Sequence, residues 1–324
     1  MNKKQNSTQK YNQIQLQKKS KKIGVVQLLL INKDQQWQVW KLENGLPIET
    51  DQILYGHQNQ VYCIVFSKKL NWFISGCSGD DKLIFWKQII NSNKWESFSS
   101  LETVCTVWCL ILRDNERQLL SSHDDGSIRV WSVRYLENLI IFEYSLQMHN
   151  SFVYQISLNE SQTQLVSCSE DKQIIIWKLN KKLIWKFGYV IIKDIDDYGQ
   201  RITFINDDTI IWCQNQGYIH IFQLHDSNFV ENVNLQIIPN RIPSSDQYNL
   251  FPLIFNQSNQ ILILKHFQYI YLLQQQVNKQ LKIISKPLYF ESACMFGNLS
   301  DDGSQLVVWN MKIKSFIFYK LDYQ

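Results

Sequence analysis

The sequence predicts an all-β fold built from a repeated unit of short strands. Apolar residues run or alternate over strand-length stretches separated by turn residues, as in Val61–Phe66. A tryptophan recurs on the third stretch of each unit, 45 residues from Trp86 to Trp131 and 46 from Trp131 to Trp177. Of the 324 residues, 45% are hydrophobic and 19% are charged, which allows a sizeable core. A near-constant period of this length is typical of stacked, repeated sheets.

The same interval extends towards both ends of the chain. Counting back from Trp86 reaches Trp40, and counting forward from Trp177 reaches Phe222, Leu272 and Tyr319 in turn. Seven large apolar residues therefore mark seven units, the first four by Trp and the last three by other residues. The stretch 239–247, which contains Pro and Ser, is predicted to be a surface loop.

Charge and cysteine content restrict the class of protein. Residues 1–22 hold seven lysines and no acidic residue, so a net charge of +4 leaves +4 − 7 = −3 on the remaining chain. This balance argues against a dedicated nucleic-acid-binding face. Residues 1–10 are predicted to be a basic, disordered tail, either a solvated extension or a contact to acidic lipid, RNA or a partner. An odd number of cysteines, seven, indicates a reducing compartment, cytoplasm or nucleus, and no apolar run is long enough to span a membrane.

The repeated unit resembles the WD40 repeat family over about residues 11–324, although no Trp of the units is followed by Asp. The resemblance implies a seven-bladed β-propeller of four-stranded antiparallel blades, formed by residues 11–324 after the tail 1–10. The last unit ends at its third strand. We predict that residues 11–17 supply its outermost strand beside 316–321. The alternative is that 11–17 form the inner strand of the first blade, beside 25–31.

The resemblance also implies a hydrogen-bonded network of His, Ser or Thr, Asp and Trp within each blade. A His–Asp pair that recurs after two periods is interpreted as part of the architecture rather than as a catalytic base. The set is complete in one unit as His149, Ser167, Asp171 and Trp177. An earlier unit has His57, Ser75, Trp86 and Asp80, with Asp81 as the alternative to Asp80. The unit between them has Ser121, Asp125 and Trp131, with Thr103 in the His position. The N-terminal unit has Asp34 and Trp40, with Leu30 in the Ser position.

One set of residues is a candidate for binding a partner. Tyr62, Trp108 and Tyr154 each follow the first Val of an inner strand, and strand alternation directs them towards the rim of the channel. Asp124 and Glu170, each one residue before a motif Asp, are expected on the same face. Together they would prefer a peptide that carries Lys or Arg. The alternative is that an aromatic residue is customary at this position in the family.

The sequence contains no motif typical of phosphate binding, zinc proteases or nucleophilic hydrolases. Cys105, Cys109 and His123 have the spacing of a loose metal half-site. We interpret the cysteines as small apolar residues of an inner strand and place His123 in an exposed turn, so no metal or cofactor is expected.

The family resemblance and this absence of catalytic motifs predict a non-catalytic protein-interaction scaffold or adaptor. It would be a monomeric ring that binds proteins or peptides as a subunit of a larger hetero-complex. Two alternatives stay open: a targeting subunit of cytosolic iron–sulfur protein assembly, and a propeller enzyme with its active site in the channel.

Overall fold

The fold is a β-propeller of consecutive antiparallel sheets. The computed structural model describes residues 29–33, 36–43, 46–89, 92, 94–192, 197–237, 251–276, 280–300, 302–310 and 312–322. A short 3-10 helix, Val233–Leu235, is the only helix among these residues. No helix within the described ranges therefore has the length and hydropathy needed to cross a bilayer.

The strands follow one another around the propeller in chain order. The N-terminal sheet consists of β1 (Leu29–Lys33), β2 (Gln36–Glu43) and β3 (Leu46–Leu54). Blade 1 consists of β4 (Val61–Phe66), β5 (Trp72–Cys77), β6 (Lys82–Gln88) and β7 (Trp95–Glu102). Blade 2 consists of β8 (Val107–Leu112), β9 (Gln118–His123), β10 (Ser127–Arg134) and β11 (Leu139–Gln147). Blade 3 consists of β12 (Val153–Leu158), β13 (Gln164–Ser169), β14 (Ile174–Leu179) and β15 (Trp185–Ile192).

The second half of the chain continues the same order with less regular sheets. Blade 4 consists of β16 (Gly199–Asn206), β17 (Thr209–Gln214), β18 (Ile219–His225) and β19 (Asn228–Glu231). Blade 5 consists of β20 (Ile254–Asn256), β21 (Ile261–His266), β22 (Tyr269–Gln275), β23 (Leu281–Ile283) and β24 (Leu288–Tyr289). Blade 6 consists of β25 (Met295–Leu299), β26 (Gln305–Asn310) and β27 (Ser315–Lys320).

The expectation of seven four-stranded blades is wrong. Six blades follow one another from β4 to β27, and only blades 1–4 are four-stranded sheets. The outer edge of blade 5 is divided between β23 and β24, which pair with different parts of β22. Blade 6 and the N-terminal sheet have three strands each in the described ranges. The periodic Trp predicted a strand in each unit, but it carried no information on whether a fourth strand completes the sheet.

The later marker residues nevertheless lie where the period places them. Phe222 is on β18, Leu272 on β22 and Tyr319 on β27, each the third strand of its blade. The tail 1–10, the segment 11–17 that was expected to close the ring, and the predicted loop 239–247 lie outside the described residues.

The core consists of apolar layers between consecutive sheets. Leu120 of blade 2 and Ile175 of blade 3, for example, are fully buried in one such cluster. Val39 and Leu54 of the N-terminal sheet pack in the same way with Phe73 of blade 1. At the other end of the chain, the ring of Trp40 lies 5.4 Å from that of Phe316 in blade 6. Burial of a sheet face therefore depends on the neighbouring sheet rather than on the sheet itself.

Side chains also tie outer strands to the preceding sheet. The amide of Trp95, the first residue of β7, donates to Gln52 Oε1 at 3.0 Å, and Gln52 Nε2 donates back to Trp95 O at 2.6 Å. Two tyrosine hydroxyls do the same for later blades: Trp185 N donates to Tyr144 Oη at 2.9 Å, and Phe229 N donates to Tyr189 Oη at 3.0 Å. The outer strands of blades 1, 3 and 4 are thus attached to two sheets.

Candidate interaction site and the blade networks

The polar network of blade 3 joins four side chains from four places in the sequence. His149 Nδ1 lies 2.9 Å from Asp171 Oδ2, and His149 Nε2 lies 2.8 Å from Ser167 Oγ. Trp177 Nε1 donates to the same Ser167 Oγ at 2.9 Å. Burial alone would raise the pKa of Asp171. Hydrogen bonds from His149 and from backbone amides have the larger effect and lower this pKa. The network therefore fastens the loop before β12 to β13 and β14.

Blade 1 has the same arrangement. His57 Nδ1 lies 2.9 Å from Asp80 Oδ2, His57 Nε2 lies 2.7 Å from Ser75 Oγ, and Trp86 Nε1 donates to Ser75 Oγ at 2.8 Å. The partner of His57 is therefore Asp80. The alternative, Asp81, occupies the turn with a φ of 51°.

In blade 2 the His comes from a different position, and the placement of His123 in an exposed turn was wrong. His123 is the last residue of β9 and is fully buried. Its Nε2 lies 2.7 Å from Ser121 Oγ, which also accepts from Trp131 Nε1 at 2.7 Å. Its Nδ1 lies 3.3 Å from Cys105 Sγ. In blade 2 the Ser hydroxyl is thus bound by a His two residues after the Ser. In blades 1 and 3 the equivalent hydroxyl is bound by a His that precedes the inner strand.

The other predicted members of the blade 2 set have separate partners. Thr103, in the sequence position of the missing His, is buried and donates to Cys105 O at 2.7 Å. Asp125 accepts from the Ser127 amide at 2.9 Å and from Arg129 Nη2 at 2.6 Å. Asp125 therefore stabilises its own turn and the Arg129 side chain.

The loose metal half-site does not form as one group. Cys109 Sγ lies 3.8 Å from Ile156 O of blade 3, whereas Cys105 Sγ contacts His123 within blade 2. Burial raises the pKa of Cys105 to about 12 and lowers that of His123 to about 3. The pair is therefore a neutral thiol beside a neutral imidazole at neutral pH.

A bulge in the inner strand of blades 1, 2 and 3 positions the predicted aromatic residues. In blade 1 the ladder pairs Val61 with Cys77 and then Cys63 with Gly76, which leaves Tyr62 without a partner across the ladder. The register shifts in the same place around Trp108 in blade 2 and around Tyr154 in blade 3. A bulge re-aims the side chain of its extra residue. Three successive blades therefore present an aromatic side chain in the same way.

These side chains form a continuous aromatic row, which we define as Tyr62, Trp108, Tyr154 and Tyr198. The ring centroids of Tyr62 and Trp108 are 4.9 Å apart and stacked, and those of Trp108 and Tyr154 are 5.4 Å apart, edge to face. Tyr198 continues the row at 5.8 Å from Tyr154. All four residues are half-buried. Phe152 lies beside the row, 6.1 Å from Trp108.

Carboxylates lie close to one end of the aromatic row. Burial and the negative charge of Glu170 raise the pKa of Tyr154, and burial with the charges of Asp197 and Glu170 raises that of Tyr198. Glu170 is oriented by Ser151, whose hydroxyl donates to it at 2.6 Å. Asp124 is half-buried, and its charge acts on the Cys105 thiol. The structure thus brings Glu170 together with Tyr154 and Tyr198.

Sequence reasoning missed Tyr198. It precedes the inner strand of blade 4, where the bulge residue is Gln200. The period of the units therefore points to Gln200, and only the path of the chain before β16 brings Tyr198 beside Tyr154. An aromatic two residues before the periodic position was the one available signal.

The similarity of this chain to a known protein family agrees with this geometry. The family described as WD domain, G-beta repeat, matches residues 48–87, 98–132 and 141–178. The matched segments contain the Trp86, Trp131 and Trp177 networks. The chain thus has three WD40 repeats, in the half that contains the regular blades.

Similar proteins match this chain over only part of their own length. Pre-mRNA-processing factor 17 of Homo sapiens is 27% identical over 199 residues, which are 58% of this chain and 32% of that protein. Protein tipD of Dictyostelium discoideum is 24% identical over 143 residues, 44% of this chain and 22% of its own length. Methylosome protein WDR77 of Xenopus laevis is 26% identical over 72 residues, 22% of each chain. The matched region spans about a third or less of each of these relatives.

Proposed function

Because this chain is a β-propeller that contains three WD40 repeats, we propose that it is a non-catalytic protein-interaction scaffold and a subunit of a larger complex. The aromatic row is the observation that carries the proposal. It has side chains from four blades in contact, and each remains partly accessible. Large, rigid aromatic residues of this kind are typical anchors of protein interfaces.

The chemistry of the row favours a basic peptide as the partner. The faces of Tyr and Trp rings attract cations, and an Arg or Lys side chain can lie along them. Glu170 and Asp197 add negative charge at the Tyr154–Tyr198 end, as the raised tyrosine pKa values indicate. An Arg or Lys of the partner placed at this end would contact both the rings and the carboxylates.

The remaining parts of the proposal rest on cysteine chemistry and on relatives. All seven cysteines are free thiols, which is typical of the cytoplasm or nucleus. One similar protein is named as a methylosome protein and another as a pre-mRNA-processing factor, and both names are consistent with a subunit that binds other proteins. We therefore place the chain in the cytoplasm or nucleus, as a single ring within a hetero-complex.

The test compares the row with aromatics elsewhere on the propeller. Tyr62→Ala, Trp108→Ala and Tyr154→Ala are combined in one variant. The matched control combines Phe142→Ala and Phe187→Ala, two exposed aromatics of the outer strands. Fluorescence anisotropy with labelled Arg-rich, Lys-rich and acidic peptides measures binding, and thermal melting checks the fold.

We expect the wild-type chain and the control to bind the basic peptides, with weaker binding as salt increases. The triple variant should lose this binding while its melting transition moves little. Glu170→Gln alone should weaken binding without abolishing it. Equal binding of acidic and basic peptides would contradict the partner chemistry, and unchanged binding by the folded triple variant would place the interaction surface elsewhere.

A further inference from the structure

One cluster in blade 1 combines three kinds of metal-binding atom. His57, Cys77 and Asp80 each place a potential ligand atom within 4.8 Å of the other two. Cys77 is the last residue of β5, Asp80 lies in the turn before β6, and His57 precedes β4. Among the described residues, no other group of three His, Cys, Asp or Glu side chains meets this spacing.

Blade 3 provides a matched comparison for the cluster. His149, Ser167, Asp171 and Trp177 repeat the geometry of His57, Ser75, Asp80 and Trp86. At the end of β13, however, Ser169 occupies the place that Cys77 has at the end of β5. Ser169 Oγ accepts from the Asp171 amide at 3.1 Å, so it supports the turn. The thiol is therefore an addition to a blade network that is complete without it.

Hydrogen bonds position the ligand atoms of Asp80 and His57 before any ion binds, and the Cys77 thiol donates to Ser78 O at 3.3 Å. Asp80 is held by the Gln58 amide at 2.9 Å and by the Lys82 amide at 3.2 Å. His57 is oriented through Nε2 by Ser75 at 2.7 Å, and Trp86 in turn fixes that hydroxyl. A hydrogen bond from the second ring nitrogen is the usual device that orients a metal-binding His. The cluster thus has the supporting contacts that a metal site requires.

The donor set selects the kind of ion. A thiolate, an imidazole and a carboxylate suit Zn²⁺, whereas Mg²⁺ and Ca²⁺ require oxygen donors. Three protein ligands leave the fourth position of a tetrahedral ion open to water or to a group of a partner. The neighbouring Gly56, Gln58 and Asn59 are exposed, but the His57 and Asp80 side chains are only 1% and 3% exposed, so an ion enters the cluster only when this loop opens.

We propose that His57 Nδ1, Cys77 Sγ and the Asp80 carboxylate bind one Zn²⁺ ion. On binding, the Cys77 thiol releases its proton to solvent and a zinc–sulfur bond forms. The two positive charges of Zn²⁺ are then balanced by the thiolate and the Asp80 carboxylate. His57 loses the proton of Nδ1 and takes one up at Nε2, so the imidazole stays neutral, and Nε2 then donates a hydrogen bond to Ser75 Oγ instead of accepting one from it. The ion takes the place of the direct contact of 2.9 Å between His57 and Asp80.

The test measures metal binding by the purified full chain after treatment with a chelator. Titration with Co²⁺, followed by its visible and near-ultraviolet absorption, reports a thiolate–metal bond directly in the wild-type protein. Isothermal titration with Zn²⁺ gives stoichiometry and affinity. Cys77→Ser gives blade 1 the residue that blade 3 has, and Cys294→Ser removes a half-buried thiol in another blade as the control.

We expect one Zn²⁺ per chain for the wild type and for Cys294→Ser. Cys77→Ser should bind Zn²⁺ more weakly by a factor on the order of ten or more, because even loss of a residue that only supports a ligand has an effect of that size. This variant should melt at the wild-type temperature in the presence of chelator. Absence of a thiolate–Co²⁺ band in the wild type overturns the proposal even if Cys77→Ser does not fold. Zn²⁺ binding that Cys77→Ser retains also overturns it.

Discussion

Blades 2 and 3 fasten their strands with the same Ser–Trp hydrogen bond but obtain the imidazole from different places. In blade 3, His149 comes from the loop before the inner strand and links Ser167 to Asp171. In blade 2, His123 comes from the second strand and links Ser121 to the Cys105 thiol. The common element is therefore the hydroxyl between an indole and an imidazole. The carboxylate is attached only where the His lies outside the sheet.

A buried network therefore accepts a His from a different strand more readily than it accepts the loss of a hydrogen-bond partner. Ser121 and Trp131 are buried as completely as Ser167 and Trp177. A buried hydroxyl and indole require hydrogen-bond partners wherever these come from in the sequence. The two blades should consequently share their response to loss of the Trp and differ in their responses to loss of the His and to acid.

Removing the indole should cause the largest loss in either blade. Trp131→Ala and Trp177→Ala each delete a side chain with 2% or less of its surface exposed. We expect each to lower the free energy of unfolding by about 3–5 kcal/mol, because a large cavity remains and the Ser hydroxyl loses one of its two hydrogen bonds. Denaturant titration measures the loss. A clearly smaller effect in one blade would show that the Ser–Trp pair is not the element they share.

Removing the imidazole should separate the blades. His149→Ala deprives the Asp171 carboxylate of its side-chain partner, so we expect a loss of about 2–3 kcal/mol. His123→Ala deprives only neutral groups, Ser121 and Cys105, and we expect about 1–2 kcal/mol. The exposed His225→Ala is the control and should change stability by less than about 0.5 kcal/mol. The reverse order of the two buried variants would contradict the role assigned to the carboxylate.

Acid should affect blade 2 at higher pH than blade 3. Burial lowers the pKa of His123 from its ordinary 6.5 to about 3, so between these values the unfolded chain binds a proton that the folded chain does not. Stability is then lost as pH falls through this window, by about 1.4 kcal/mol per pH unit. The lowered pKa of Asp171 contributes stability that is lost only as pH falls below its ordinary 3.8.

Denaturant titrations at pH values from 7 to 4, about one pH unit apart, measure the free energy of unfolding and check this difference. His123→Gln should have a shallower pH dependence than the wild type, and the exposed His225→Gln is the control substitution. Equal slopes for the wild type and His123→Gln would show that His123 takes up its proton without unfolding.

The strand pattern and the blade 3 network could be predicted because each depends on regular spacing. The Trp period follows from a pocket that every pair of sheets provides, so even Phe222 and Tyr319 keep their places. The role of His123 could not be predicted, since its spacing from Ser121 fits no repeat position and only three-dimensional reach reveals it. The number of blades could not be predicted either, because a marker residue on one strand does not show whether the sheet around it has the strands of a complete blade.

The candidate site was predicted in part. Tyr62, Trp108 and Tyr154 share a periodic position, but their mutual contact depends on bulges that the sequence does not mark. Tyr198 enters the row through the path of the chain into blade 4, where the periodic residue is polar. Asp124 and Glu170 occupy equivalent turn positions, but Glu170, which accepts a hydrogen bond from Ser151, raises the pKa of Tyr154, whereas Asp124 raises that of Cys105.

The attachment of an outer strand to the sheet before it couples the opening of a blade edge to the separation of neighbouring sheets. Because the backbone of Trp95 is hydrogen-bonded to Gln52, the outer strand of blade 1 cannot fray unless its hydrogen bonds to the N-terminal sheet also break. The tyrosine contacts impose the same condition on Trp185 and Phe229. Edge opening and separation of neighbouring blades become one cooperative step, so slow amide exchange at these three positions reports how tightly the ring is held together.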